Sequence, residues 1–205
     1  MKNPNQSVLF FSNLFFYFKG FFFFNLYCGS RSASIFPMAS MRTKNASSSS
    51  SFSSSTLQWK YDVFLNFRDE DTFNSSTNPL DDALKRRGIV TFRDEEKLEI
   101  GKSISSNLLK VMEESKFAIV ILSKNYASFT RCLDELTKII GCTKDIGTTV
   151  LPIFRDVDPS NVQKQLRPFA PAFAKHHECF KDCIEKVQTW RISMREIASL
   201  KGWHL

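Results

Sequence analysis

YDVFLNFRDEDT, residues 61–72, reads as a strand that runs into an acidic loop. Tyr61, Val63, Leu65 and Phe67 alternate with Asp62, Phe64, Asn66 and Arg68. Phe64 makes the second face apolar as well, as expected of a central strand covered on both sides in an α/β sheet. Asp69, Glu70 and Asp71 follow at once. Loops at the carboxyl ends of parallel strands are where open α/β sheets take their ligands, so this turn is a candidate site.

Four more apolar runs lie downstream at spacings that suit βαβ units: GIVTF at 88–92, FAIVILS at 117–123, TVLPIF at 149–154 and KGWHL at 201–205. FAIVILS is almost wholly apolar, which fits a buried parallel strand. A helix is predicted over 80–87, and another beginning near Arg131. Together they predict a doubly wound parallel sheet. Two common chemistries of such sheets find no support. A dinucleotide-binding turn needs glycines after the first strand, and residues 68–72 contain none. A phosphoacceptor domain needs an Asp after the third strand, where Ser123, Lys124 and Asn125 stand.

The length of 205 residues suits one domain and an extension. Charge divides the same way. Residues 1–58 hold five bases (Lys2, Lys19, Arg31, Arg42 and Lys44) and no acid, leaving 23 bases against 21 acids in the remainder. The net +7 is therefore mostly a property of the tail, and no nucleic-acid partner is expected for the folded part. Five scattered cysteines suit a reducing compartment better than a disulfide framework. His176, Cys179 and Cys183 share a helix face, but three ligands fall short of a structural zinc site, and no metal is expected.

The tail has two parts. Residues 1–37 form a Phe-rich leader whose stretch 8–28 has the length of a membrane span or signal core. Lys19 in its middle costs about 2.5–3.5 kcal/mol on an insertion scale, and Asn13, Gly20 and Asn25 weaken it further. The run also fits a translated pyrimidine-rich leader, since TTT and TTC encode Phe, with Met38 or Met41 as the start. A membrane partner is expected only if 8–28 is a real anchor. Residues 38–58 are Ser-rich and bury too little to repay their ordering, so they are expected to be a disordered lead-in. The domain proper spans 59–205.

The opening strand, the SKNYASFTRCLDEL block at 123–136, PIFRDVDPS at 152–160 and the GWH of 202–204 together resemble the TIR domain (Toll/interleukin-1 receptor type) in its plant disease-resistance form. Val187, Gln188, Trp190 and Arg191 extend the likeness through the last third. The resemblance implies a flavodoxin-like fold: five parallel strands in the order 2-1-3-4-5, with helices on both faces. It also implies a chain that ends before the family's last helix, leaving one apolar sheet face exposed. It makes Glu135 the catalytic residue for cleavage of the nicotinamide–ribose bond of NAD, with Arg68, Asp69, Arg131 and Cys132 in the pocket. NAD is then substrate rather than cofactor.

That chemistry suits a single carboxylate. Nicotinamide leaves NAD as a neutral ring, so no general acid is needed. The oxocarbenium-like transition state is stabilised by a carboxylate near the ribose. Capture by water gives ADP-ribose, and internal capture gives a cyclic product. The resemblance further implies defence signalling, a cytoplasmic location and association with other TIR domains.

Several positions depart from the family pattern. Asp69 replaces a glycine, and a carboxylate there repels the phosphates of a dinucleotide. Phe73 replaces an Arg. Arg131 replaces an aromatic residue four positions before Glu135, which removes stacking and offers an i, i+4 ion pair to the carboxylate. Asn78 and Pro79 replace a Ser-His pair on the first helix, which is expected to begin near Pro79. Ile100 replaces an Arg in the loop after the second strand, and Arg155 replaces a Tyr. Two functions follow from these observations: an NAD nucleosidase active on self-association, or a non-catalytic adaptor or decoy acting through TIR–TIR binding. A relic product that never folds stably is a third reading.

Overall fold

The computed structural model describes residues 59–68, 79–93 and 104–204. Strand β1 (Tyr61–Asn66) lies inside the sheet with a neighbour on each side, as its two apolar faces require. It is flanked by β2 (Thr91–Arg93) and β3 (Ser115–Leu122), followed outward by β4 (Thr149–Phe154) and β5 (Trp203–His204). All pairs are parallel and the order is 2-1-3-4-5. The register sets Asn66 beside Val120, so the last residue of β1 lies level with the carboxyl half of β3.

Helices α1 (Pro79–Lys85), α2 (Ser106–Glu113), α3 (Thr130–Asp145), α4 (Pro159–Lys164), α5 (Phe169–Cys179) and α6 (Ile184–Ser199) supply the crossovers. Proline opens α1, where its missing N–H costs nothing. Ser105 caps α2 by accepting from the Leu108 N–H, and Asp158 caps α4 by accepting from the Ser160 N–H at 2.7 Å.

Strand alternation sorts the core into two layers. Phe64, Ala118, Val120, Leu122 and Phe154 face α2, α3, α5 and α6. Val63, Leu65, Phe117, Ile119, Ile121, Leu151 and Ile153 face the other way, against Leu80 and Leu84 of α1. Among the described residues the exposed apolar face expected there is not found. Ile119, Ile121, Leu151 and Ile153 are at most 3% exposed, with Phe67 and Trp203 packed against this layer.

Two strands are shorter than the sequence suggests. The second does not begin at Gly88, because that residue adopts a left-handed conformation (φ 74°) that closes α1. The fifth is confined to Trp203–His204. Gly202, just before it, lies so close to β4 that a Cβ would stand 2.6 Å from both Pro152 O and Phe154.

Helix α6 is held to α3 by a polar seam. Trp190 Nε1 donates to Asp134 Oδ1 at 2.8 Å and Lys186 Nζ to Oδ2 at 3.0 Å. Ser193 donates to the Thr137 hydroxyl at 3.2 Å. His176 donates through Nε2 to Ala127 O at 2.7 Å, amid Phe173, Phe180 and Trp190. Its ring thus faces inward, while Cys179 and Cys183 are exposed. Among the described residues no group of His, Cys, Asp or Glu is arranged to hold a metal, and no helix is long and apolar enough to cross a membrane. The leader, the Ser-rich lead-in and residues 69–78 and 94–103 lie outside the described residues. The readings of Asp69, Phe73, Asn78 and Ile100 fall among them.

Candidate functional site

Helix α3 begins at Thr130, one residue before the predicted start. Cys132, Leu133, Leu136, Ile139 and Ile140 fall at helical spacing and are buried against the sheet, each stabilising the fold by about 1.5–3 kcal/mol. Glu135 shares that inward face. It is only 6% exposed, so its carboxylate needs partners within the protein.

They come from two elements. Asn66, at the end of β1 and 1% exposed, donates from Nδ2 to Glu135 Oε2 at 2.7 Å. Arg131, one turn earlier on α3, donates from Nε to Oε1 at 3.1 Å. The ion pair anticipated from the i, i+4 spacing is therefore formed, and its side chains are 13% and 8% exposed. Both carboxylate oxygens are engaged, at the carboxyl ends of the central strands.

Behind Asn66 stands Tyr126, in a 3-10 turn over Tyr126–Ser128. It is wholly buried, and its hydroxyl donates to Asn66 Oδ1 at 2.5 Å with Cys132 O also in reach at 3.0 Å. Burial pushes the phenol well above its ordinary range. Nearby Cys132 and Glu135 add to this and the Asn66 hydrogen bond opposes it. Cys132 offers the network its carbonyl, while its side chain lies in the core.

Arg68, two residues past β1, lays its guanidinium 3.8 Å from the ring centroid of Phe129, the residue preceding α3. The aromatic absent at 131 thus has a neighbour at 129, with a cation on its face. Asp69 lies outside the described residues. Arg68, Arg131, Cys132 and Glu135 belong to one cluster, linked through Asn66, Tyr126 and Phe129. Asn66 was visible to sequence reasoning only as a residue of the alternating strand, although its place on the α3 face at the strand's end was the available signal. Tyr126 and Phe129 carried none beyond their position in the 123–136 block.

Beside the cluster, a cleft of about 120 Å³ opens at the carboxyl ends of β3 and β4. It is lined by Ser123, Lys124, Asn125, Arg155 and Asp156. Asp156 adopts a left-handed φ of 52°, a costly conformation for a side-chain-bearing residue. Lys124 and Arg155 make the rim cationic, and Arg155 is one of the departures noted above.

Residues 60–205 match the TIR domain family. The TMV resistance protein N of Nicotiana glutinosa is 50% identical over 150 residues, covering 73% of this chain and 13% of that protein. The disease resistance protein RPV1 of Vitis rotundifolia is 50% identical over 168 residues, covering 82% and 12%. This chain thus spans about an eighth of those relatives' length. Among solved structures, the TIR domains of the activated Roq1 resistosome, which directly recognises the pathogen effector XopQ, superpose with a TM-score of 0.63 at 46% identity. That match covers 71% of this chain and 87% of the other. With sheet order, core and sequence in agreement, the chain belongs to the TIR domain family, in the form carried by plant disease-resistance proteins.

Proposed function

We propose that this TIR domain acts in plant defence signalling by cleaving NAD to nicotinamide and ADP-ribose, or a cyclic variant, when copies associate. The observation that supports this reading is the placement of Glu135: a buried carboxylate at the carboxyl ends of the strands, bonded by Asn66 and Arg131. A carboxylate there suits the reaction, which requires negative charge beside a ribose that becomes cationic and needs no proton donor for the leaving ring. Arg68 is a cation suited to the dinucleotide's phosphates. Association with other TIR domains is proposed from the family, whose Roq1 member forms a resistosome. A cytoplasmic location is proposed on the same footing.

A second reading is favoured by one observation. Arg131 already occupies Glu135 Oε1, as an adaptor or decoy without catalysis permits. Purified full chain, concentrated on a crowding surface with NAD, separates the two. Nicotinamide release that Glu135→Ala abolishes is expected. A folded wild-type chain that leaves NAD intact would sink the enzymatic reading in favour of the adaptor.

A further inference from the structure

The cluster behind Glu135 is a chain of buried polar groups with a direction. Tyr126 keeps its proton, since burial holds the phenol far from ionisation. That proton goes to Asn66 Oδ1. An amide whose oxygen is so engaged turns its nitrogen the other way, and Nδ2 meets Glu135 Oε2 at 2.7 Å. The rotated amide would set Oδ1 against a carboxylate oxygen. Tyr126 therefore selects the amide orientation that offers a donor to an ionised Glu135. Accepting from Tyr126 also polarises the amide and strengthens Nδ2 as a donor. Cys132 O, 3.0 Å from the same hydroxyl, shares that proton and ties the phenol to the first turn of α3, the helix that carries Glu135.

We infer that Tyr126, acting through the side-chain amide of Asn66, positions Glu135 and holds its carboxylate in the charged form. Both are positioning residues, and the inference deepens the reading of Glu135 as the reacting group and rests on it. Among the described residues, the charged or titratable groups bearing on the carboxyl include Arg131 on its own helix and Tyr126 on the turn before it. The partner from β1, Asn66, is uncharged. Arg131 also favours the charged form, but it approaches from the helix surface. Asn66 and Tyr126 approach from the core, where only a complete fold places them.

The test reads Glu135 without relying on activity. In the full chain labelled at glutamate carboxyl carbons, the Glu135 signal is identified by its loss in Glu135→Gln and followed by NMR against pH. Asn66→Ala is expected to raise its titration midpoint by about one pH unit, as loss of a hydrogen bond to a charged group implies. Tyr126→Phe is expected to raise it by less, and to add nothing in the Asn66→Ala background. An unmoved midpoint in folded Asn66→Ala, or an equal Tyr126→Phe effect with and without Asn66, overturns the inference. Should a variant not fold, the unmodified chain still decides. The Asn66 side-chain amide signals should shift through the Glu135 titration and stay constant in Glu135→Gln. Amide signals blind to that titration overturn the inference. NAD loss is measured in parallel: midpoints that move as expected in a chain that never consumes NAD would remove the proposed reaction and leave the positioning intact.

Discussion

Replacing Arg131 by tryptophan (R131W) probes the tension between a held carboxylate and a working one. Arg131 Nε stands 3.1 Å from Glu135 Oε1, with both side chains largely withdrawn from water. At an effective dielectric of about 20, two charges at that distance attract by about 5 kcal/mol. Desolvation offsets much of this, and a hydrogen bond to a charged group nets about 1.5–3 kcal/mol. With Arg131 on Oε1, Glu135 must reorient or share that oxygen to meet a ribose hydroxyl, so that net value is set against the proposed reaction. Removing it is expected to raise kcat/KM for NAD by roughly ten- to a hundredfold. The new ring would add stacking for nicotinamide. The same change should lower the melting temperature, because the carboxylate loses a partner. Nicotinamide release is followed in wild type, Arg131→Trp, Arg131→Lys and Arg131→Trp with Glu135→Ala. The lysine variant keeps the charge without the guanidinium geometry and is expected to fall between wild type and Arg131→Trp. A folded Arg131→Trp variant with no Glu135-dependent gain would refute the reasoning that the ion pair restrains the site.

Combining Arg131→Trp with Asp69→Gly is expected to raise NAD cleavage beyond Arg131→Trp alone, measured by the same release; no added gain removes the argument that the Asp69 carboxylate repels phosphate. Trp190→Ala empties a core position and takes one of two partners from Asp134, at an expected cost of about 3–5 kcal/mol in denaturant unfolding, and a loss below 1 kcal/mol would contradict the packing described. Maleimide should label Cys179 and Cys183 quickly and Cys132 and Cys142 only on unfolding, since burial raises the Cys142 thiol above its ordinary range; early labelling of Cys142 would contradict this. Hydrogen bonds from the Ser160 side chain and backbone hold Asp158 below the usual carboxylate range. Its capping contribution is therefore present above the unfolded pKa and fades as pH falls through the lowered folded value. The difference in melting temperature between wild type and Asp158→Ala should accordingly shrink towards low pH, and a constant difference would argue against the cap.

Much of the sheet could be read from β1 alone. A strand apolar on both faces has to be central and parallel, and the remaining apolar runs then take their places as strands. What the pattern misjudged was backbone geometry. GIVTF is apolar and β-branched, but Gly88 is needed in a left-handed turn to end α1, so the strand starts only at Thr91. Glu135 and its pairing with Arg131 followed from resemblance and helical spacing, which are local. The Asn66 and Tyr126 partners did not, because nothing local marks them. Asn66 occupies an ordinary alternating position, and its meaning comes from a helix 69 residues away. The sheet face expected to stand open showed the same limit, since its burial depends on what the chain lays over it, which strand periodicity does not encode.

That separation of 69 residues between Asn66 and Glu135 bears on how the molecule comes into being. Closing a flexible loop of this size costs about 4 kcal/mol of chain entropy, returned only after β1 has found β3 and α3 has settled across both. A parallel pairing of this kind is a slow, non-local event, and the polar cluster cannot precede it. A nascent or partly unfolded chain therefore has a Glu135 in water with no fixed neighbours. For a domain proposed to cleave NAD, this ties any cleavage to completed folding. A chain stalled on the ribosome or opened by a protease would lack the proposed site.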